Sequence, residues 1–392
     1  MFFFQDDIGL LIQLSKLNFW QFLITPQAEH FAPILHLLSF MEYKLFGLNF
    51  YGYFSLSLIL HFLNLFILFK TLRLINIERR WSILFSSLFL INLTFVEPLL
   101  WFSAQGVILA NLFIGLAFYF WLQRSFFSYI FLVFASFSYS TGLGLGIIFG
   151  IISVVYGKLI PAYFILGILS LIVGPLVAGS RLGQVTPQIT DLLLNILQFL
   201  AFVIGGVGRG VFGRLFIPGF EPRHFEIAKT LISFIPFALI SALVTKFILT
   251  GPKKFSQILL SLSVMIVYPY IWAGLIRYQF GIKQALSERY AYPSLFFTVI
   301  LLAVLSKYFL AKKKFISFKS AVLLIAVLLF FQTYNFYRKA VEFEVRPLQT
   351  KQFINSLQEK LEAGQAVPDL PLPVFINQPF TISDILPLIS PP

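Results

Sequence analysis

Two adjacent carboxylates, Asp6 and Asp7, stand at the start of the chain in "MFFFQDDIGLL". Neighbouring carboxylates repel, so one of the pair holds its proton to a higher pH than an isolated acid. A carboxylate of raised basicity can take the proton of an attacking hydroxyl. Two together can also hold a divalent cation. The plain alternative, that both simply face water, costs nothing at a position outside an apolar core.

Further polar groups recur along the chain. Glu97, Gln105 and Asn111 lie around one hairpin, "TFVEPLLWFSAQG", and could line a cavity, with Trp101 marking the membrane interface. Arg181, Arg209, Arg214, Arg223 and His224 fall in one stretch, and Arg277, Lys283 and Arg289 in another. An arginine cluster can bind anionic headgroups or clamp a phosphate. His61 and Asn64 lie in "ILHFLNLF", where hydrogen bonds to a neighbouring helix are the expected role.

The elements that carry these groups are apolar. Of 392 residues 58% are hydrophobic and 11% charged, against roughly 25% charged in soluble domains. Such a chain is expected to be an all-α polytopic membrane protein. Cysteine is absent, which excludes disulfides, thiol chemistry and Cys-based metal sites. A span needs about 20 apolar residues. Runs of that kind cover Asn49–Leu72, Trp81–Trp101, Gly106–Leu122, Pro161–Ala178, Ile227–Leu249, Phe255–Leu275, Tyr290–Leu310 and Ser320–Tyr337. Phe126–Tyr156 is too long for one span and is read as two short ones meeting near Gly142, in "TGLGLG". The total is about ten.

The net charge of +13 is distributed by loop. Lys70, Arg73, Arg79 and Arg80 follow the first span, Arg124 the third, Lys158 the fifth, Lys246, Lys253 and Lys254 the seventh, and Lys312, Lys313, Lys314 and Lys319 the ninth. Every second loop is basic, so these loops share the cytoplasmic side and the excess charge needs no nucleic acid to explain it. Asp6 and Asp7 then lie outside. Residues 1–48 are expected to form an outer loop with amphipathic helices, residues 49–337 the bundle, and residues 338–392 an outer Pro-rich tail. That tail opens with a short amphipathic helix carrying Phe353, Leu357 and Leu361. The half-apolar stretch Gly179–Glu226 reads as an interfacial or re-entrant element. No basic segment precedes the first apolar run, so no signal peptide is expected.

Taken in order, the outer "DD", "HFAPIL", "LFGLNFYGYFSLSLILHFLNLFIL", "NLTFVEPLLW" and "ERYAYPS" resemble motifs of the GT-C superfamily of membrane glycosyltransferases. The likeness is greatest to the protein O-mannosyltransferase-like branches, including the tetratricopeptide-linked ones. It covers about 300 residues. It departs at Gln105 and Gly106, where relatives often carry Arg and Asp, and at "SYSTG", where they carry "SKE". Members of the family have one transmembrane helix ahead of the acid pair, and no tetratricopeptide repeat is found here.

The resemblance implies a GT-C-like bundle at the plasma membrane, with its active site outside. It would move a sugar from a polyprenyl-phosphate donor to a protein, lipid or glycan acceptor. It also implies Asp6 as base, with Asp7 beside it, and His30, Glu97, Gln105, Glu288 and Tyr290 around the cavity. Departure of a phosphate needs fixed positive charge, for which Arg289 is the first choice, followed by Arg209 and Arg277. Direct displacement would invert the anomeric centre. The resemblance fixes no cofactor and leaves a divalent cation open, since some branches use one and the O-mannosyltransferase branch need not. The competing readings are a flippase or transporter of lipid-linked sugars, which would want broken helices in symmetric halves, and a polysaccharide polymerase or ligase, which would use the arginines of the large outer loop.

Overall fold

A computed structural model describes residues 2–3, 5–26, 31–178, 192–217, 227–312, 317–373, 376 and 380–389. These form helices α1 (Asp6–Lys16), α2 (Phe19–Ile24), α3 (Pro33–Phe46), α4 (Phe50–Leu74), α5 (Arg79–Leu90), α6 (Val96–Leu100), α7 (Gln105–Leu122), α8 (Phe127–Ser136), α9 (Leu145–Val155), α10 (Pro161–Ala178), α11 (Leu192–Gly205), α12 (Arg214–Phe216), α13 (Ile227–Thr250), α14 (Lys253–Arg277), α15 (Ile282–Ala285), α16 (Glu288–Lys312), α17 (Phe318–Phe343), α18 (Val345–Glu362) and α19 (Ile382–Ile389). Among the described residues there is no strand beyond a single bridge, Pro371 to Thr381.

Among the described residues six helices are long and apolar enough to cross a membrane, and α5 with Leu93–Leu100 makes a seventh bent by 56°. The protein is therefore an all-α, multi-pass membrane protein. All ten expected apolar runs are helical, and α8 and Ser140–Val155 are shorter than a full span. The break near Gly142 is present. There Gly144 turns the chain at φ +69°, a conformation open to glycine without strain. Two residues on, Gly146 meets the backbone of Gly167 so closely that a Cβ would collide with it, which lets α9 and α10 pack at small-residue distance.

Helix α16 is central: 83% of its membrane-crossing window is buried, against 17% for the window starting in α17. Helix α17 instead turns Leu323 and Phe330 outward, as a lipid-facing helix does. Buried polar groups inside the bundle satisfy one another. His61 sits between the Tyr292 hydroxyl (2.8 Å) and the Leu90 carbonyl (3.0 Å), while Asn64 bonds the Ile108 carbonyl (3.0 Å) and receives Asn111 (2.7 Å). His61 and Asn64 thus have the expected role, and Asn111 joins them inside rather than lining an outer cavity.

The basic loops gather at one end. Lys307 reaches the Ile75 carbonyl, Arg80 stacks on Phe318, and Gln257 bonds Val155. Lys313 and Lys314 lie outside the described residues. The acid pair, Trp101 and the start of α16 occupy the opposite end.

Leu193–Phe216 has the length and apolarity of a span. Phe199 packs on Gly274, Phe202 on Tyr290, Gly205 on Ile282 and Gly210 on the Tyr270 hydroxyl, and Arg214 bonds the Leu286 carbonyl. On its other side Gly208 meets Phe234 and Phe212 meets Phe237 of α13. The segment thus packs against α13, α14, α16 and the connection between the last two, at the end that carries Arg289. The flanking residues 179–191 and 218–226, with Arg181, Arg223 and His224, lie outside the described residues.

The N-terminal stretch and the tail pack together against the bundle. Phe3, Ile8 and Leu11 share one buried cluster with Phe50, Tyr53 and Phe102 from the bundle and Ile354, Leu357 and Ile385 from the tail. Lys16 and Asp384 close it as an ion pair. The two chain ends form a single cap over the end that carries the acid pair.

Candidate active site

The site is built on a reciprocal brace. Glu97, in α6, turns one carboxylate oxygen to the start of α16, where it accepts from the Ser287 hydroxyl (2.7 Å), the Glu288 N–H (2.9 Å) and the Arg289 N–H (3.3 Å). The first N–H groups of a helix have no acceptor within it, and a carboxylate there also meets the positive end of the helix dipole. Glu288 answers by accepting from the Glu97 N–H (2.9 Å). Its other oxygen faces Lys339 (3.5 Å) and Arg214 (3.8 Å). Glu288 is fully buried and Glu97 nearly so. Neither lines an open cavity. Both fix where α16 begins, and so where Arg289 points.

Arg289 stacks its guanidinium over the rings of Trp101 (5.4 Å) and Tyr290 (5.7 Å) and donates to the Tyr139 hydroxyl. The cost of placing this cation is therefore met from inside the protein, by cation–π contact and a hydrogen bond. The sequence alone points to an external anion as its partner; the structure supplies partners inside the protein as well. Tyr290 is buried beneath the guanidinium, with its hydroxyl 3.4 Å from the Gln284 amide.

Asp6 and Asp7 form the first turn of α1, just after Gln5, whose φ of 48° is a strained conformation for a side-chain-bearing residue. The two acids differ in environment. Asp7 is fully buried and accepts from the Ser103 N–H (2.8 Å), so it ties α1 to the turn after Trp101. Asp6 is exposed, and its charge acts on the Tyr139 hydroxyl. Tyr139 holds Arg289 by a hydrogen bond and feels the charge of Asp6. Three elements, α1, the turn after α8 and α16, thus contribute an acid, a phenol and a guanidinium to one interacting row.

Gln105 does not join this row. It is buried and donates to Glu42 (2.8 Å) and Ser57 (3.1 Å). Burial pushes the Glu42 carboxyl up to about 8, with the Gln105 hydrogen bond opposing. Arg209 is buried in the π-helical stretch Gly206–Gly213, and Arg277 ends α14 half-buried. Both lie at the same end of the bundle as Arg289. His30 lies outside the described residues. Tyr139 and Lys339 escaped the sequence reading. Tyr139 had a signal, since it sits in the "SYSTG" stretch that departs from the resembling family.

Among the described residues no three His, Cys, Asp or Glu side chains are grouped to hold a metal ion. A divalent cation at the acid pair would depend on a substrate phosphate to complete its ligands. Comparison with protein-family models, with curated proteins and with solved structures gives no match to this chain.

Proposed function

We propose that the protein is a membrane glycosyltransferase, moving a sugar from a polyprenyl-phosphate donor to an acceptor hydroxyl on the face opposite the basic loops. The observation that carries this reading is the row Asp6–Tyr139–Arg289. An exposed carboxylate acts through its charge on a phenol that in turn holds an arginine, with the acid and the cation on separately braced helices. In a displacement at the anomeric carbon, Asp6 takes the proton of the acceptor hydroxyl as its oxygen bonds to that carbon. The bond from the carbon to the phosphate oxygen breaks, and the leaving phosphate carries off the electron pair. Arg289, flat against Trp101, presents its in-plane N–H groups to that phosphate, two at a time. Tyr139 fixes the guanidinium between Asp6 and the leaving group.

A polyprenyl donor needs a lateral apolar entrance. The helix α11 supports one: Leu193, Leu197, Leu200 and Ile204 form a single stripe at helical spacing, each 44–69% exposed, on an element packed at the end of the bundle that holds Arg289. The test is purified protein with a panel of radiolabelled polyprenyl-phosphate sugars. Release of the unglycosylated lipid phosphate, dependent on Asp6 and Arg289, is the expected result. Movement of intact donor between leaflets with no turnover would replace this reading with that of a flippase.

A further inference from the structure

We infer that the protein binds the headgroup of an anionic phospholipid in a cavity of about 370 Å³ at the basic end of the bundle, remote from the acid pair. The cavity lies between the C-terminal ends of α7 and α9 and the start of α10, and its volume is within the range, roughly 300–1,000 Å³, of small-molecule sites. Two cations from two separate loops line it, Arg124 and Lys158. Both are exposed, and among the described residues neither has an ion-pair partner. The walls are aromatic. Trp121 bonds the Ser153 hydroxyl through its indole N–H (3.1 Å), and Tyr129 stacks on Tyr163 with centroids 4.6 Å apart. A cationic mouth over an aromatic wall suits a group that is anionic at one end and greasy at the other. A freely soluble phosphate would gain nothing from the rings.

The backbone adds an independent argument. Helices α7 and α9 end in the same turn, with the Ser125 N–H reaching back to the Phe120 carbonyl and the Lys158 N–H to the Ser153 carbonyl, each at 2.9 Å. The residue at the left-handed position of α9 is Gly157, at φ +74°. At the matching position α7 carries Arg124, at φ +60°, where glycine is the strain-free choice. A cation near a helix C-terminus gains from the dipole, and a basic cytoplasmic loop orients the chain. Either purpose is served by an arginine one residue further along, in relaxed backbone. A need for the guanidinium at the cavity accounts for its occupying the strained position.

The test is titration of the purified protein, in an uncharged detergent, with phosphatidylglycerol, phosphatidylcholine and soluble glycerol phosphate, with bound lipid counted by native mass spectrometry. The expected result is saturable binding of phosphatidylglycerol alone. Each cation contributes roughly fivefold, so Arg124→Gln with Lys158→Gln weakens binding about 30-fold. Arg124→Gly separates ligand from fold. It relieves the backbone, so the lipid-free protein melts no lower than wild type, while phosphatidylglycerol binding falls roughly fivefold. Equal binding of phosphatidylcholine, binding of glycerol phosphate as tight as of the lipid, or wild-type affinity in the double variant would each overturn the assignment.

Discussion

Replacing Glu97 by Gln tests whether a carboxylate charge sets the start of the central helix. In the native protein one Glu97 oxygen accepts from Ser287, Glu288 and Arg289 at 2.7, 2.9 and 3.3 Å. Glutamine keeps the shape and one carbonyl oxygen but makes each bond neutral. A hydrogen bond to a charged group contributes about 1.5–3 kcal/mol and a neutral one about 0.5–1.5, so each loses roughly 1 kcal/mol. The donors share a single oxygen, which makes their losses less than additive, and about 2 kcal/mol is expected in total. The lost interaction with the helix dipole adds about 0.5 kcal/mol. Glu97→Ala goes further. It leaves a hydroxyl and two N–H groups without an acceptor in a buried place, at about 1–3 kcal/mol each. For a chain of this size 1 kcal/mol moves the melting midpoint by roughly 2 °C. The Gln variant should therefore melt about 5 °C below wild type in detergent, and the Ala variant lower still. Because the brace also aims Arg289, transfer should fall in the same order. A Gln variant that melts within about 1 °C of wild type would refute the argument that this carboxylate, as a charge, caps α16.

Asp6→Asn should lower donor turnover by about 10²–10⁴-fold with little change in donor affinity, since only the proton acceptor is lost; steady-state kinetics on the purified variant check this, and near-normal turnover rejects Asp6 as the base. Arg289→Lys should lose most transfer and Arg289→Ala more, because an ammonium neither lies flat on Trp101 nor grips two oxygens at once. Wild-type donor affinity and rate in the Lys variant would rule out the phosphate clamp. Glu42 binds its proton more tightly folded, at about 8, than at its ordinary 4.5. Stability should therefore decline as pH rises from about 4.5 to about 8 and level off above. Melting midpoints of wild type and Glu42→Gln across that range should converge at the acid end and separate at the basic end. In intact cells, a cysteine at Lys283 should react with an impermeant reagent and one at Lys253 should not; labelling of position 253 would invert the topology.

Fold class was legible without coordinates. The price of exposing backbone in lipid forces helices, and uninterrupted apolar runs report them directly. The break near Gly142 was likewise visible in glycine placement. The hydrogen-bonding of His61 and Asn64 followed from their depth. What composition could not convey was which polar groups meet. Glu97 and Glu288 were singled out as cavity residues because acids near a membrane are costly. Only the packing of α6 against the start of α16 shows that each is spent on the other's backbone. Gln105 was grouped with Glu97 by sequence distance, yet helix direction turns it toward Glu42 and Ser57. The cap is the extreme case. Ile8 and Ile385 lie at opposite ends of the chain, and no local periodicity says that they share a core. Tyr139 shows why: a side chain's partners depend on which helices cross at its level, and that is decided by side chains far away in sequence.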